Sequence, residues 1–256
     1  MHSHSGQFCP SHAQNTLEEM IQRAITLKMT HFALTEHMPR TDIGDLYPEE
    51  VRLTTLSPSK FLTRIQVERG VSITEFIPLY NAYLQEAVRL RAKYENEIKI
   101  FICFEGEWIR SDYGATIKSL TCNSVVDFFI GSVHHVHTVP IDHNLTLYSK
   151  AVQLSGGTED GLFADYYDLQ YEMLVELRPR VVGHFDVIKL MSAKPLKDPK
   201  KWENVWRKIL RNLEFIIGYG GLIEVNSSGL RKGLGEPYPG RTICEVSDIL
   251  KCVFAV

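Results

Sequence analysis

Cysteine is scarce in this chain, and none of the five residues (Cys9, Cys103, Cys122, Cys244, Cys252) forms a CxxC pair. An odd count without that spacing excludes a zinc finger and argues against a disulfide framework, leaving the reduced thiols of a cytoplasmic protein. Long apolar runs are missing as well. None approaches the roughly 18 to 20 residues of a membrane span, so no membrane partner is expected. The opening Met-His-Ser-His-Ser-Gly has neither the basic start nor the apolar core of a secretory signal. Charge of one sign is also lacking, with 28 basic against 31 acidic residues, or −3, and no long run of either. A protein that grips long nucleic acids needs a basic face, and none is expected here. No GxGxxG follows a strand-like segment, which leaves a dinucleotide fold unsupported, and the glycine-rich stretch at 229–240 lacks the GK[ST] of a P-loop.

What is present is an ordinary globular composition, 44% hydrophobic and 23% charged over 256 residues, without repeats or low-complexity tracts. Helical and extended patterns alternate along it. Thr16 and Glu19 read as a capping box ahead of Leu17, Met20, Ile21, Ala24 and Ile25 at helical spacing. A helix is predicted over about 74–97, with Tyr83, Leu84, Ala87 and Leu90 on one face. Others are predicted over about 164–177, from Trp202 to Ile217, and over about 242–252. Apolar runs at His31–Leu34, Ile98–Phe104, Val125–Val133, Val181–Val182 and Leu222–Val225 read as strands. The segment 41–73 has weak periodicity and reads as an insertion or long loop. At least five alternations favour one α/β barrel-like domain over residues 1–256, with a doubly wound open sheet as the alternative.

The histidines fall where such a fold keeps its chemistry. His37, His134 and His184 each follow the end of a predicted strand, and Glu105 ends another. In parallel α/β folds those ends share one face, and imidazole with carboxylate suits Zn²⁺, Mn²⁺ or Fe²⁺. His2 and His4 stand two apart, so on an extended backbone both rings project to one side. Other groups have plainer readings. His31 lies inside an apolar run, His135 should point away from His134, and His137 and His143 sit in a loop. Asp186 suits a role orienting His184 or capping a turn, and Tyr166, Tyr167 and Tyr171 suit core packing.

Five motifs carry a resemblance: Met-His-Ser-His-Ser-Gly at 1–6, Leu-Thr-Glu-His-Met-Pro-Arg at 34–40, Phe-Glu-Gly-Glu-Trp at 104–108, Gly-Ser-Val-His-His at 131–135 and Val-Gly-His-Phe-Asp at 182–186. In this order they resemble the polymerase-and-histidinol-phosphatase (PHP) family, in its fungal histidinol-phosphatase branch. Gly-Leu-Arg-Lys and Glu-Pro-Tyr-Pro-Gly, between Asn226 and Gly240, resemble that branch too. The resemblance implies a distorted (β/α)7 barrel with up to three divalent metals, Zn, Mn or Fe. It assigns His2 and His4 to the first metal, Glu105 as a bridge to the second, His134 and His184 to the second, and His12 and His37 to the third. Glu105, His134 and His184 are then the catalytic set. Glu107 competes for the bridging role, and Glu105 is preferred because it directly follows the apolar strand. Adjacent cations lower the pKa of bound water and stabilise charge on phosphoryl oxygens. A guanidinium suits the phosphate; Arg231 is the first choice, with Arg40 and Lys189 as further cations.

The family pattern also has a terminal Asp-x-His, whereas no histidine follows His184 here. The expectation is a barrel lacking its last strand or strands, with a complete second metal site and depleted first and third sites. Weaker metal retention, lower stability and reduced or absent turnover follow from that. The expected function is hydrolysis of a small phosphate ester, L-histidinol phosphate, in histidine biosynthesis. The alternatives are another phosphoesterase on the same scaffold or a metal-binding remnant without turnover. Oligomeric state is not legible.

Overall fold

A computed structural model describes residues 2–9, 13–46, 76–250 and 253–255. Most of the 41–73 segment lies outside the described residues, as do His12 and Cys252. The chain forms two compact units. The larger comprises Met1–His2, Glu105–Asn123 and Phe128–Val256, and the smaller Ser3–Phe104 and Ser124–Asp127.

In the smaller unit, Thr16 caps helix α1 (Leu17–Thr26) through the predicted reciprocal bonds with Glu19, and Leu17, Ile21 and Ala24 form its buried face. Strand β1 (His31–His37) follows, and helix α2 (Phe76–Lys93) leads to strand β2 (Lys99–Glu107). Tyr83, Leu84, Ala87 and Leu90 are buried, as their spacing predicts. The Tyr83 hydroxyl reaches the carbonyls of Leu34 and Cys103, at 2.9 and 2.5 Å, so one buried polar group ties the helix to both strands. Ahead of α1 the chain runs beside β1. Ser3 N–H donates to Thr35 Oγ1 (2.8 Å), and Ser5 N–H to a Glu36 carboxylate oxygen (2.7 Å).

The larger unit is an α/β layer. Strands β3 (Phe128–Ser132), β6 (Val181–Val182), β7 (Leu222–Glu224) and β8 (Val253–Ala255) pair in parallel in that order. The register aligns Gly131 with Val182 and Val182 with Ile223, so the chain leaves β3, β6 and β7 at one level. Between β3 and β6 lie an antiparallel pair, β4 (His135–Val136) and β5 (Val139–Pro140), and helices α4 (Leu145–Leu154) and α5 (Glu159–Leu177). Helix α3 (Tyr113–Thr121) precedes β3. Helix α6 (Glu203–Tyr219) precedes β7, and α7 (Ser228–Arg231) and α8 (Arg241–Ile249) follow it. Gly220 takes φ +76° to end α6 in the left-handed cap that glycine adopts without strain.

Helices α5 and α6 pack on each other over a core that includes Tyr166, Tyr167, Met173, Ile209, Leu213 and Ile216. A polar ladder is buried inside it. Asn212 Nδ2 donates to the Tyr167 carbonyl (2.8 Å) and to Gln170 Oε1 (3.0 Å). Gln170 Nε2 and the Tyr166 hydroxyl then donate to the Phe185 carbonyl, at 3.0 and 3.2 Å. Tyr166 and Tyr167 pack in the core as predicted, but Tyr166 also pins the residue after His184. Among the described residues no helix is long and apolar enough to cross a membrane.

Candidate metal centre

Four strand ends and the chain start deliver the polar groups of the larger unit. β2 runs past Phe104 to Glu107, so Glu105 and Glu107 are both strand residues, two apart and on one side of the pleat. His134 leaves β3 just before the β4–β5 turn. In that turn His137 (φ 52°) and Thr138 (φ 60°) both adopt the left-handed conformation that a two-residue hairpin requires. His184 leaves β6 after Gly183. A side chain at Gly183 would meet Ser132 Oγ at 2.6 Å and Ile130 Cγ2 at 2.8 Å, so only glycine allows this close approach of the strands. His184 has φ +20°, an uncommon value for a residue with a Cβ.

These groups converge. Glu105 Oε1 lies 2.9 Å from His184 Nε2 and 3.5 Å from His134 Nε2, and the two nitrogens are 3.1 Å apart. The other oxygen, Oε2, lies 3.2 Å from His2 Nε2. Two imidazole nitrogens that close, facing one carboxylate oxygen, compete for protons, whereas a cation among them satisfies every lone pair. The ligand atoms of Glu105, His134 and His184 all lie within 4.8 Å of one another, and all three residues are buried. The donor set therefore fits a divalent cation.

The opposite ring edges face further carboxylates. Glu107 Oε1 is 3.3 Å from His134 Nδ1 and 2.8 Å from His135 Nδ1, while Glu224 Oε1 is 3.1 Å from His2 Nδ1. Burial by itself would lower His2 and His134. The carboxylates of Glu105 and Glu224 outweigh it at His2, and those of Glu105, Asp142 and Glu107 at His134. His2 is held well above 6.5 and His134 is raised to about 9. Glu224 is pushed up by burial but drawn down to about 2 by His2 and His184.

The expected residues divide as follows. His2, Glu105, His134 and His184 come together in the larger unit. His4 and His37 belong to the smaller unit, where their rings stack with centroids 4.1 Å apart and planes 11° apart. Arg40 is buried in that unit. Arg231 is exposed at the end of α7. Lys189 is buried between Asp186 (2.9 Å) and Glu236 (2.8 Å). Asp186 does not orient His184: it holds Lys189 and accepts the Gly240 N–H at 2.9 Å. His135, expected to point away, is buried against Glu107 beside His134. The sequence reading missed Glu224, although a carboxylate ending an apolar strand is the signal that picked out Glu105.

Parallel strand ends that gather imidazoles around a buried carboxylate define an α/β protein built to bind divalent metal. Residues 1–228 match the PHP domain model, and the chain belongs to that family. It is 40% identical over 246 residues to the Schizosaccharomyces pombe protein named "Probable histidinol-phosphatase", covering 96% of this chain and 74% of that one. It is 29% identical to the histidinol-phosphatase of Saccharomyces cerevisiae over 271 residues, covering 96% of this chain and 77% of that one. Among solved structures it resembles HisK of Listeria monocytogenes, with a TM-score of 0.76 at 22% identity over 99% of this chain and 92% of that one. It also resembles the histidinol phosphate phosphatase of Lactococcus lactis, solved with zinc, L-histidinol and phosphate. There the TM-score is 0.57 at 16% identity, covering 88% of this chain and 72% of that one.

Proposed function

We propose that this chain is a metal-dependent phosphatase that hydrolyses L-histidinol phosphate to L-histidinol and phosphate in histidine biosynthesis, in the cytoplasm. The observation that carries the reading is Glu105, which presents one oxygen toward His2 Nε2 and the other toward His134 and His184 Nε2. A carboxylate with an imidazole group on each side suits a bridge between two cations. Glu107 faces ring edges turned the other way and suits a supporting role. The names of the two fungal relatives, and the ligands in the Lactococcus lactis structure, support the substrate.

In this reading the chain is one PHP domain folded as a distorted (β/α)7 barrel that holds up to three divalent ions of Zn, Mn or Fe. His2 and His4 serve the first, His134 and His184 the second, and His12 and His37 the third. Bound cations supply Lewis-acid activation of water and neutralise charge on the phosphoryl oxygens. The chain's own residues hold the imidazole lone pairs toward one point. The Tyr166, Gln170 and Glu224 bonds fix the backbone around His184, so little reorganisation is left for the reacting state. Arg231 is the favoured phosphate contact, with Arg40 next. Lys189 would first have to release two carboxylates.

The test is phosphate release from L-histidinol phosphate and from an aryl phosphate, with Mn²⁺ or Zn²⁺ added after chelation. Selective release from L-histidinol phosphate, abolished in His134→Ala and His184→Ala, is expected. Equal rates on both esters would favour a general phosphoesterase, and bound metal without release would favour a non-catalytic metal-binding protein.

A further inference from the structure

Glu224 touches two of the proposed ligands on sides turned away from the metal position. Its Oε1 lies 3.1 Å from His2 Nδ1, while the opposite nitrogen of that ring, Nε2, faces Glu105. Its Oε2 accepts the backbone N–H of His184 at 2.8 Å, holding that residue at φ +20°. Asn226 Nδ2 donates to Oε1 at 3.0 Å and fixes the carboxylate plane. Glu224 is itself buried, at 4% exposure, so this geometry is not a chance surface contact.

We infer that Glu224 is a positioning residue that fixes the tautomer of His2 and the backbone of His184, and so sets the metal-binding geometry on both sides of Glu105. The inference rests on the metal-binding reading above. A neutral imidazole carries one proton. A carboxylate at Nδ1 can only accept, so it draws that proton to Nδ1 and leaves the Nε2 lone pair for the cation. Glu224 lies at the wrong ring edge to share that cation with His2 Nε2. It acts through the histidine.

Glu224→Gln breaks this arrangement at nearly constant volume. One amide oxygen cannot accept from His2 Nδ1, from Asn226 Nδ2 and from the His184 N–H together. The amide NH₂ therefore faces either His2 Nδ1, which drives the ring proton to Nε2 where the cation should bind, or the His184 N–H, which releases the backbone carrying the His184 ring. Chelator competition on the full chain should show Mn²⁺ and Zn²⁺ bound 10- to 100-fold more weakly, on the order found for outer-shell partners of metal ligands. Melting of the metal-free variant reports separately whether the fold is kept. A second measurement needs no variant: ¹⁵N-histidine NMR of the zinc-loaded wild type should show His2 protonated at Nδ1 and zinc-bound through Nε2. Unchanged affinity in Glu224→Gln, or wild-type His2 bound through Nδ1, overturns the positioning role and leaves the phosphatase reading standing. A wild type that binds no metal overturns both.

Discussion

Metal and protons compete for the same lone pairs in this cluster, and the competition is measurable. His134, buried beside Glu105, Asp142 and Glu107, is raised to about 9, and His2, between Glu105 and Glu224, also lies well above 6.5. Both rings therefore carry a proton at pH 7 before a cation arrives, and both must lose it on ligation. For His134 the gap is roughly two pH units, which lowers apparent affinity at pH 7 by about 100-fold, or about 3 kcal/mol. His2 adds to this in the same direction. The sign follows directly: metal affinity rises with pH from 6 to about 9, the range over which His134 gives up its proton. Titration calorimetry of chelator-stripped protein with Zn²⁺ or Mn²⁺, repeated in buffers of different ionisation enthalpy, counts the protons. About two released as the cluster fills at pH 7 is the expected result. Uptake without proton release, or an affinity flat between pH 6 and 9, would refute the reasoning.

The same groups set the stability of the metal-free chain. His2 and His134 are raised, so their contribution is full below their ordinary value of 6.5 and is lost as pH climbs, for His134 through about 9. Glu224 is lowered to about 2, so its contribution is full above 4.5 and is lost as pH falls toward 2. The metal-free melting temperature should thus be highest between about pH 4.5 and 6.5 and fall toward pH 9, and a melting curve that rises over that upper range would contradict it. Asn212→Ala takes the core donor from Gln170 Oε1, while the Tyr167 carbonyl keeps the Arg211 guanidinium at 2.9 Å, and denaturant unfolding should show a loss of about 1–3 kcal/mol, with weaker metal binding through the Phe185 carbonyl. Thr16→Ala breaks the capping box of α1 and should cost about 1 kcal/mol while leaving metal affinity unchanged, as chelator competition would show.

Where one residue's surroundings are set by its own strand or helix, the sequence was informative. The capping box of Thr16 and Glu19, the buried face of α2 and the strand-end positions of His134 and His184 all depend on local periodicity, and all are seen. Groups whose roles come from tertiary approach were read less well. Glu224 closes a strand of three residues, too short to show alternation, and its two histidine partners lie 40 or more positions away. His135 reaches Glu107 because the two-residue strands β4 and β5 fold back immediately after His134, and strands that short carry no period. Asp186 looked like a partner for His184 because ligating histidines commonly need an acceptor and it stands two positions away, but its carboxylate belongs to Lys189 and the Gly240 N–H. The Glu105–Glu107 ambiguity was similar. Both project from one side of β2, and only the ring edges they meet separate them.

The most direct test follows the rate of phosphate release from L-histidinol phosphate as metal is returned to chelator-stripped protein, with bound metal counted in the same samples. The account predicts no release from the stripped protein and a rate that climbs with occupancy of the Glu105, His134 and His184 cluster. Release at full rate without metal, or none with the cluster filled, would contradict it.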